Sequence, residues 1–406
     1  MISIGIDVSK EKSTVCILKV QGEILCSPYE IAHTVMELDQ LASTIQHFDE
    51  ECRVVMEATG IYHLPVACYL KSKGIFVSVV NPFEMKTFAK EHRGLRGGKT
   101  DRQDAVMIAN YGIERWFRLK ELQLTEDTYS SLKLMGRQYY HYMRMHVESL
   151  QELTHLLDYT MPGIKNIFKS WNETNGKDKL GDFCDRYWHY DIITQMSEEE
   201  FITDYNSWAK EKGYHQSQSK AKQVYAMAQE GIPTLATTSS VKMLVAEAVR
   251  VLKEIDNTLS KIITHMRELA KTLPEYTTVR AMGGVGDVLA PKLIAEIGDV
   301  RRFHNGSALV AYAGIDVPPF ESGQFKASER SITKRGSKLL RKIAYEVARS
   351  LTSHNEPTDN AVYQFIRKKE QEGKLKKQAK IAGINKFLRI YYARVNEVYT
   401  NAGLKT

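Results

Sequence analysis

No apolar run in the chain approaches the roughly 20 residues that a membrane span requires, so a membrane-embedded protein is not expected. The five cysteines, Cys16, Cys26, Cys52, Cys68 and Cys184, form no CxxC pair and no metal-finger spacing. An odd count without a signal peptide predicts reduced thiols in a cytoplasmic protein rather than a disulfide framework.

Charge is close to balanced overall but not along the chain. The 406 residues carry 56 Lys/Arg and 49 Asp/Glu, a net of +7. From 321 to 406 there are 19 Lys/Arg against 8 Asp/Glu, a net of +11, which leaves residues 1–320 at −4. A basic C-terminal end points to a polyanionic partner, most simply nucleic acid. The length suits two or three domains with real cores.

Apolar patterning predicts strands at 2–8, 13–20 and 23–28, the last two joined by a hairpin turn at Gln21-Gly22-Glu23. Helical spacing follows over 35–48, then a strand at 53–57, a helix at 62–73 and a strand at 75–80 closed by Asn81-Pro82. Three antiparallel strands followed by alternating helices and strands is the order of an RNase H-like α/β fold.

Four acids stand at the corners of this pattern. Asp7 ends the run Ile2-Ser3-Ile4-Gly5-Ile6, and Glu57 ends Val54-Val55-Met56. Asp101 and Asp104, three apart at the start of a helix-periodic segment, share one face of its first turn. Like charges gathered at one point need a cation, and all-oxygen ligands suit Mg²⁺ or Mn²⁺. Actin-like sugar kinases also open with a strand, an Asp and a small polar turn. They need Gly-rich adenosine-binding segments that are not found downstream, which favours a nuclease-type site. The basic, glycine-rich stretch containing Arg93, Arg96 and Lys99 adjoins the acidic pair. It reads equally as a loop holding a phosphate backbone against the metals and as a surface loop whose charge offsets the acids.

A long amphipathic helix is expected over 127–160, with a seam of Met143, Val147, Leu150, Leu153 and Leu157. A matching pattern returns at Ile255, Leu259, Ile262, Met266 and Leu269, so the two helices are expected to pair as an antiparallel coiled-coil arm. The segment 163–235 would be inserted at its tip, its aromatics packing a small helical core, with stacking on RNA bases the lesser alternative. His141, His146 and His155 read as surface residues. At Arg280–Asp287 a helix breaks on glycines and resumes, resembling a helix-hairpin-helix whose backbone N–H groups meet phosphate.

Pro318-Pro319 is expected to stop a helix and to leave Glu321-Ser322-Gly323 in an exposed turn. Lys326, Arg330, Lys334, Arg335 and Lys338 follow, with Arg341 and Lys342. A serine ringed by cations suits attack on a phosphodiester, because the cations stabilise charge building on phosphorus. By itself Ser322 reads more readily as a turn serine, and no His-Asp pair supports an acyl-transfer triad. These readings divide the chain into 1–118, an arm over 119–273, and a mainly helical domain over 274–406.

Taken together, the motifs resemble one family: bacterial insertion-sequence transposases with an N-terminal DEDD, RuvC-like domain and a C-terminal serine-bearing transposase domain. The resemblance rests on Gly5-Ile-Asp-Val-Ser-Lys10, Glu57-Ala-Thr-Gly-Ile-Tyr62, Val80-Asn-Pro82, Lys99-Thr-Asp-Arg-Gln-Asp104 and Gly283–Gly286. It continues through Ala313-Gly314, Glu321-Ser-Gly323, Ile332-Thr-Lys-Arg-Gly336 and Leu340-Arg341, with Thr333 where serine is expected. The resemblance implies that Asp7, Glu57, Asp101 and Asp104 bind Mg²⁺, and that Ser322 attacks double-stranded DNA to leave a phosphoserine link. It also implies a guide (bridge) RNA, dimers or tetramers in which the acids of one subunit can meet the serine of another, and a place at the bacterial nucleoid. The alternative enzyme is a two-metal nuclease of Holliday-junction type with water as nucleophile. A nucleic-acid-binding protein with a decayed site is opposed by the intact acids.

Overall fold

The computed structural model describes residues 1–92, 100–122, 127–168, 171, 176–318, 331–353 and 356–404, and the backbone of 321–322 and 325–326. The chain divides into two compact units, Met1–Leu124 and Thr125–Thr406.

The first unit is built on a five-stranded mixed sheet. β1 (Ile2–Val8), β2 (Lys12–Lys19) and β3 (Ile24–Ala32) form an antiparallel meander. After α1 (Val35–Gln46), β4 (Cys52–Glu57) lies parallel beside β1, and α2 (His63–Ser72) leads to β5 (Val77–Val80), parallel to β4. The strand order β3-β2-β1-β4-β5 is that of an RNase H-like sheet. Gln21 and Gly22 both have positive φ, 72° and 81°, which suits the twist of a tight hairpin. α3 (Pro82–His92) and α4 (Asp101–Glu114) complete the unit.

Each face of the sheet has its own cover. Ile2, Ile4 and Ile6 pack with Val54, Met56 and the α1–α2 residues Leu38, Leu41 and Leu70. On the other face Ala105 and Ala109 of α4 pack with Cys16 and Leu18. Burying one Ile side chain is worth about 1.5–3 kcal/mol. A one-residue slip of β1 would exchange its three isoleucines for Ser3, Gly5 and Asp7, so the register is strongly held.

In the second unit α5 (Asp127–Thr160) and α10 (Ser239–Ala270) run antiparallel. Between them in sequence come α6 (Lys179–Arg186), α7 (Tyr190–Thr194), α8 (Glu198–Glu211) and α9 (Gln218–Glu230). Their aromatics Phe183, Tyr187, Tyr190, Phe201, Tyr205 and Trp208 pack, with Phe168, onto Leu153 and Leu157 of α5 and Val245, Val249 and Leu252 of α10. The aromatic richness of this segment is therefore core packing. The other ends of α5 and α10 share one core with α11 (Tyr276–Ala281), α12 (Gly286–Ile297), α13 (Gly306–Tyr312), α14 (Lys338–Ser353), α15 (Ala361–Gln371) and α16 (Lys376–Asn401). A buried carboxylate ties this core: Glu275 accepts from the hydroxyls of Tyr129 and Tyr399, each at 2.6 Å.

Three expectations change. The seam of α5 passes through His146, not Val147: Val147 is 48% exposed, whereas His146 is 6% exposed, with Nδ1 2.6 Å from Asp256 Oδ1 on α10. Alternate steps of three and four from Tyr129 lead to His146, and a polar side chain is tolerated there because Asp256 answers it. On α10, Ile263 takes the buried position expected of Ile262. The glycine turn between α11 and α12 is also turned inward. Asp359 accepts from the Gly283 N–H at 3.0 Å, and a Cβ on Gly283 or Gly284 would come within 2.4 Å of Asp359 O or 2.8 Å of Val347 O. That turn is a packing device, and its first N–H is not available to a phosphate. All five cysteines are unpaired, and among the described residues no helix is long and apolar enough to cross a membrane.

Asp178 caps α6, accepting from the Gly181 N–H at 3.1 Å. Its Oδ2 and that of Asp256 are buried without a hydrogen-bond partner among the described residues. Burial, reinforced by Asp256 and Asp182 and opposed by the Gly181 N–H and Lys253, pushes the Asp178 carboxyl up to about 6. A raised carboxyl pKa favours the fold fully below the unfolded value of about 4, and that contribution is lost as pH rises through about 6. Asp178→Asn keeps the cap, so its Tm should fall less than that of the parent chain between about pH 4 and 7, as thermal melts across that range will show.

Candidate active site

Asp7 and Glu57 are delivered to the same edge and face of the sheet. Ile6 pairs in parallel register with Met56, so the next residues, Asp7 and Glu57, stand side by side on strands about 4.8 Å apart. Ile6 and Met56 face the α1–α2 core, and strand alternation turns Asp7 and Glu57 to the opposite face, the one that α4 covers.

The direction of α4 brings the other two acids to that corner. A Cβ on Gly5 would lie 2.3 Å from Ala105 O and Ala109 N, and one on Gly112 would lie 2.1 Å from Ser3 Oγ. Contact thus moves from Gly112 back to Ala105–Ala109 as β1 advances from Ser3 to Gly5, which makes α4 antiparallel to β1. Two strand residues advance about 6.6 Å and each helical residue about 1.5 Å. The next two strand residues therefore place Asp7 opposite the first turn of α4, where Asp101 and Asp104 sit. Thr100 fixes that start by accepting the Gln103 N–H at 3.2 Å. Lys12 on β2 lies near this corner. Its ammonium is held protonated chiefly by Glu30 at 2.7 Å, with Asp101 a smaller contributor.

By donor chemistry, four carboxylates fit a hard divalent cation. Among the described residues no three His, Cys, Asp or Glu side chains converge tightly enough to hold a metal ion. The donors are thus presented from neighbouring elements rather than drawn into a finished cage. Arg93, Arg96 and Lys99 lie outside the described residues.

Ser322 occupies a different setting from the open turn expected. It ends β6 (Glu321–Ser322), which pairs antiparallel with β7 (Phe325–Lys326), Ser322 opposite Phe325. The side chains of Ser322 and Lys326, and all of Arg330, lie outside the described residues. The preceding helix α13 ends at Tyr312, well before Pro318, because Ala313 and a left-handed Gly314 (φ 64°) terminate it.

The base of this hairpin is closed by a clasp. The Thr333 N–H donates to Asp316 O at 3.0 Å and its hydroxyl to Asp316 Oδ1 at 2.5 Å. The Lys334 N–H donates to Gly314 O at 3.0 Å, and the Ser337 N–H to Tyr312 O at 2.6 Å. The Ser337 hydroxyl donates to buried Glu296 at 2.6 Å, and Arg341 Nη1 to Ala313 O at 2.7 Å. Gly336 has no room for a side chain, since its Cβ would meet Tyr312 O at 2.1 Å. Arg341 is therefore structural, while Lys334, Arg335 and Lys338 are exposed at the hairpin base. Neither Lys12 nor Asp316 has a sequence signal for its place, because each is defined by a partner brought in by the fold. Thr333→Val removes one hydroxyl from the clasp, worth about 1 kcal/mol net. Amide exchange at Thr333 and Lys334 should speed up by about three- to tenfold with the rest of the unit unchanged, as residue-resolved hydrogen exchange will test.

Comparison with known proteins places both regions in one family. Residues 4–162 match the model DEDD_Tnp_IS110, described as a transposase, and residues 276–364 match the transposase IS116/IS110/IS902 family. The pilin gene-inverting protein of Moraxella bovis is 25% identical over 398 residues, covering 97% of this chain and 95% of that protein. The transposase for insertion sequence element IS1111A of Coxiella burnetii is 30% identical over 99 residues, 24% of this chain and 27% of that one. Among solved structures, Thermus thermophilus RuvC in complex with a Holliday junction substrate aligns at 16% identity and a TM-score of 0.24, covering 30% of this chain and 99% of that one. With matched segments on both sides of α10 and a relative alignable along nearly its whole length, the chain belongs to the IS110/IS116 family of transposases and is a DNA recombinase.

Proposed function

We propose that the chain cuts and rejoins double-stranded DNA through a phosphoserine intermediate formed by Ser322, under the direction of a guide RNA. The observation that carries the reading is the placement of Asp7, Glu57, Asp101 and Asp104 on one corner of the sheet, in a chain whose second matched segment contains the serine hairpin.

The serine oxygen attacks phosphorus, the phosphodiester bond to one strand's oxygen breaks, and that oxygen leaves as a hydroxyl after taking up a proton. One phosphoester replaces another, so bond energy is conserved for rejoining when a hydroxyl of the exchanged strand attacks the phosphoserine. Asp7, Glu57, Asp101 and Asp104 would hold a divalent cation, Mg²⁺ or Mn²⁺, which when bound supplies charge neutralisation at the phosphate. Exposed Lys334, Arg335 and Lys338 orient the strand and offset negative charge near the hairpin base. Lys326 and Arg330, and Arg93, Arg96 and Lys99, which precede Asp101 in the sequence, are assigned the same task of backbone contact. The C-terminal excess of positive charge suits a protein that reads nucleic-acid shape and backbone while base pairing with RNA supplies sequence. The active form is a dimer or tetramer.

Incubation with DNA and Mg²⁺, followed by denaturing electrophoresis, should give a covalent protein–DNA adduct that disappears in Ser322→Ala. The Asp101→Ala, Asp104→Ala double variant should lower its rate by about a hundredfold or more. Free nicked product persisting in Ser322→Ala would assign cutting to water and make the chain a two-metal nuclease.

A further inference from the structure

A strongly basic stretch lies beyond residue 364, where the second family match ends. Between Arg367 and Lys386, across the turn from α15 to α16, there are eight Lys/Arg and two acids, Glu370 and Glu372. Both acids are already engaged, Glu370 by Arg367 at 2.9 Å and Glu372 by Lys369 at 2.6 Å. Lys386 lies over the Phe365 ring at 4.9 Å. Lys368, Lys374, Lys376, Lys377 and Lys380 have no ion-pair partner among the described residues, and all but half-buried Lys380 are exposed.

This arrangement is poorly explained by stability. Lys376 and Lys377 open α16, whose first turn contains no acid and whose N-cap, Leu375, offers no side-chain acceptor. Cations at that end oppose the helix dipole as well as one another. The support beneath them is rigid: Ile366 of α15 packs so closely on α16 that a Cβ at Gly383 would lie 2.4 Å from it. The local field is also visible at Glu372, whose carboxyl is held below its usual range by Lys369 first and then by Lys368 and Lys374.

We propose that the α15–α16 turn is a docking surface for the phosphate backbone of duplex DNA outside the cut site, with Lys374, Lys376, Lys377 and Lys380 as its contacts. Lysine ammonium groups are point charges that meet phosphates without reading bases, and a duplex offers about one charge per 1.7 Å of its axis. Single-stranded nucleic acid would call for exposed stacking aromatics. The rings seated against these cations, Tyr363 under Arg367 and Phe365 beneath Lys369 and Lys386, are half-buried. The proposal rests on the chain acting on DNA, and not on the serine chemistry or the acids.

The test is equilibrium binding of the full chain to a labelled, non-cleavable DNA duplex by anisotropy over a salt series, with a single-stranded RNA of equal length as the second probe. Changing Lys374, Lys376, Lys377 and Lys380 together to Gln should weaken duplex binding at least about tenfold at 0.1 M salt, and reduce the slope of log K against log salt by about three. The same four positions changed to Arg should restore both. If the Gln variant does not fold, as judged by circular dichroism, Lys374→Gln with Lys377→Gln should show about half the change in slope. An unchanged duplex slope overturns the proposal, and so does a loss confined to RNA. Adduct formation is not read, so the outcome is independent of whether Ser322 is the nucleophile.

Discussion

Helix α4 lies against the middle of β1 so closely that the backbone oxygen of Ala105 and the nitrogen of Ala109 occupy the place where a side chain on Gly5 would be. The placement of the acids depends on this approach. Any residue larger than glycine at position 5 would lift the helix, and with it the turn carrying Asp101 and Asp104, away from Asp7 and Glu57. Gly112 over Ser3 serves the same purpose about one to two turns later. The two glycines cost conformational entropy in a strand and a helix, and what they allow is a helix axis close enough to the sheet to bring acids from three elements to one corner.

The serine region uses a different device. The described residues that flank the serine-bearing strand pair close its base. Here the closure is made of backbone bonds from Thr333, Lys334 and Ser337 to Asp316, Gly314 and Tyr312, with side-chain bonds from Thr333 and Ser337. Ser337 is tied in turn to Glu296, a buried residue of α12, so the clasp is anchored in the main core of the second unit. The residues that make Ile332–Gly336 a recognisable motif therefore act mostly through the backbone. Gly336 is required by space, Lys334 adopts a left-handed φ of 56°, and Thr333 satisfies Asp316 twice.

Much of the fold was legible in the chain before any coordinates. Strand alternation and helix periodicity report local burial, so β1, β4 and the full extent of α5 could be read within a residue or so at either end. The parallel neighbours Asp7 and Glu57 followed from two apolar runs each ending in an acid. The seam at His146 was not legible, because a histidine enters an apolar interface only when a distant residue, Asp256, compensates it. The glycine turn at Gly283–Gly284 carried the signature of a phosphate-binding loop, yet Asp359 and α14 fill the space that a ligand would need.

Residue order alone determined the period of each element, the acids at strand ends and helix start, and the basic character of the C-terminal end. These are local or additive properties. Tertiary structure alone decided that the first turn of α4, with Asp101 and Asp104, lies at the Asp7 corner, that Arg341 supports the chain instead of meeting a ligand, and that Lys374, Lys376 and Lys377 stand exposed with no ion-pair partner among the described residues. Each of these depends on which elements approach one another and how closely. That is set by packing and by the absence of a side chain at Gly5, Gly112, Gly336 and Gly383, and a linear reading cannot tell a glycine needed for space from one placed in a turn.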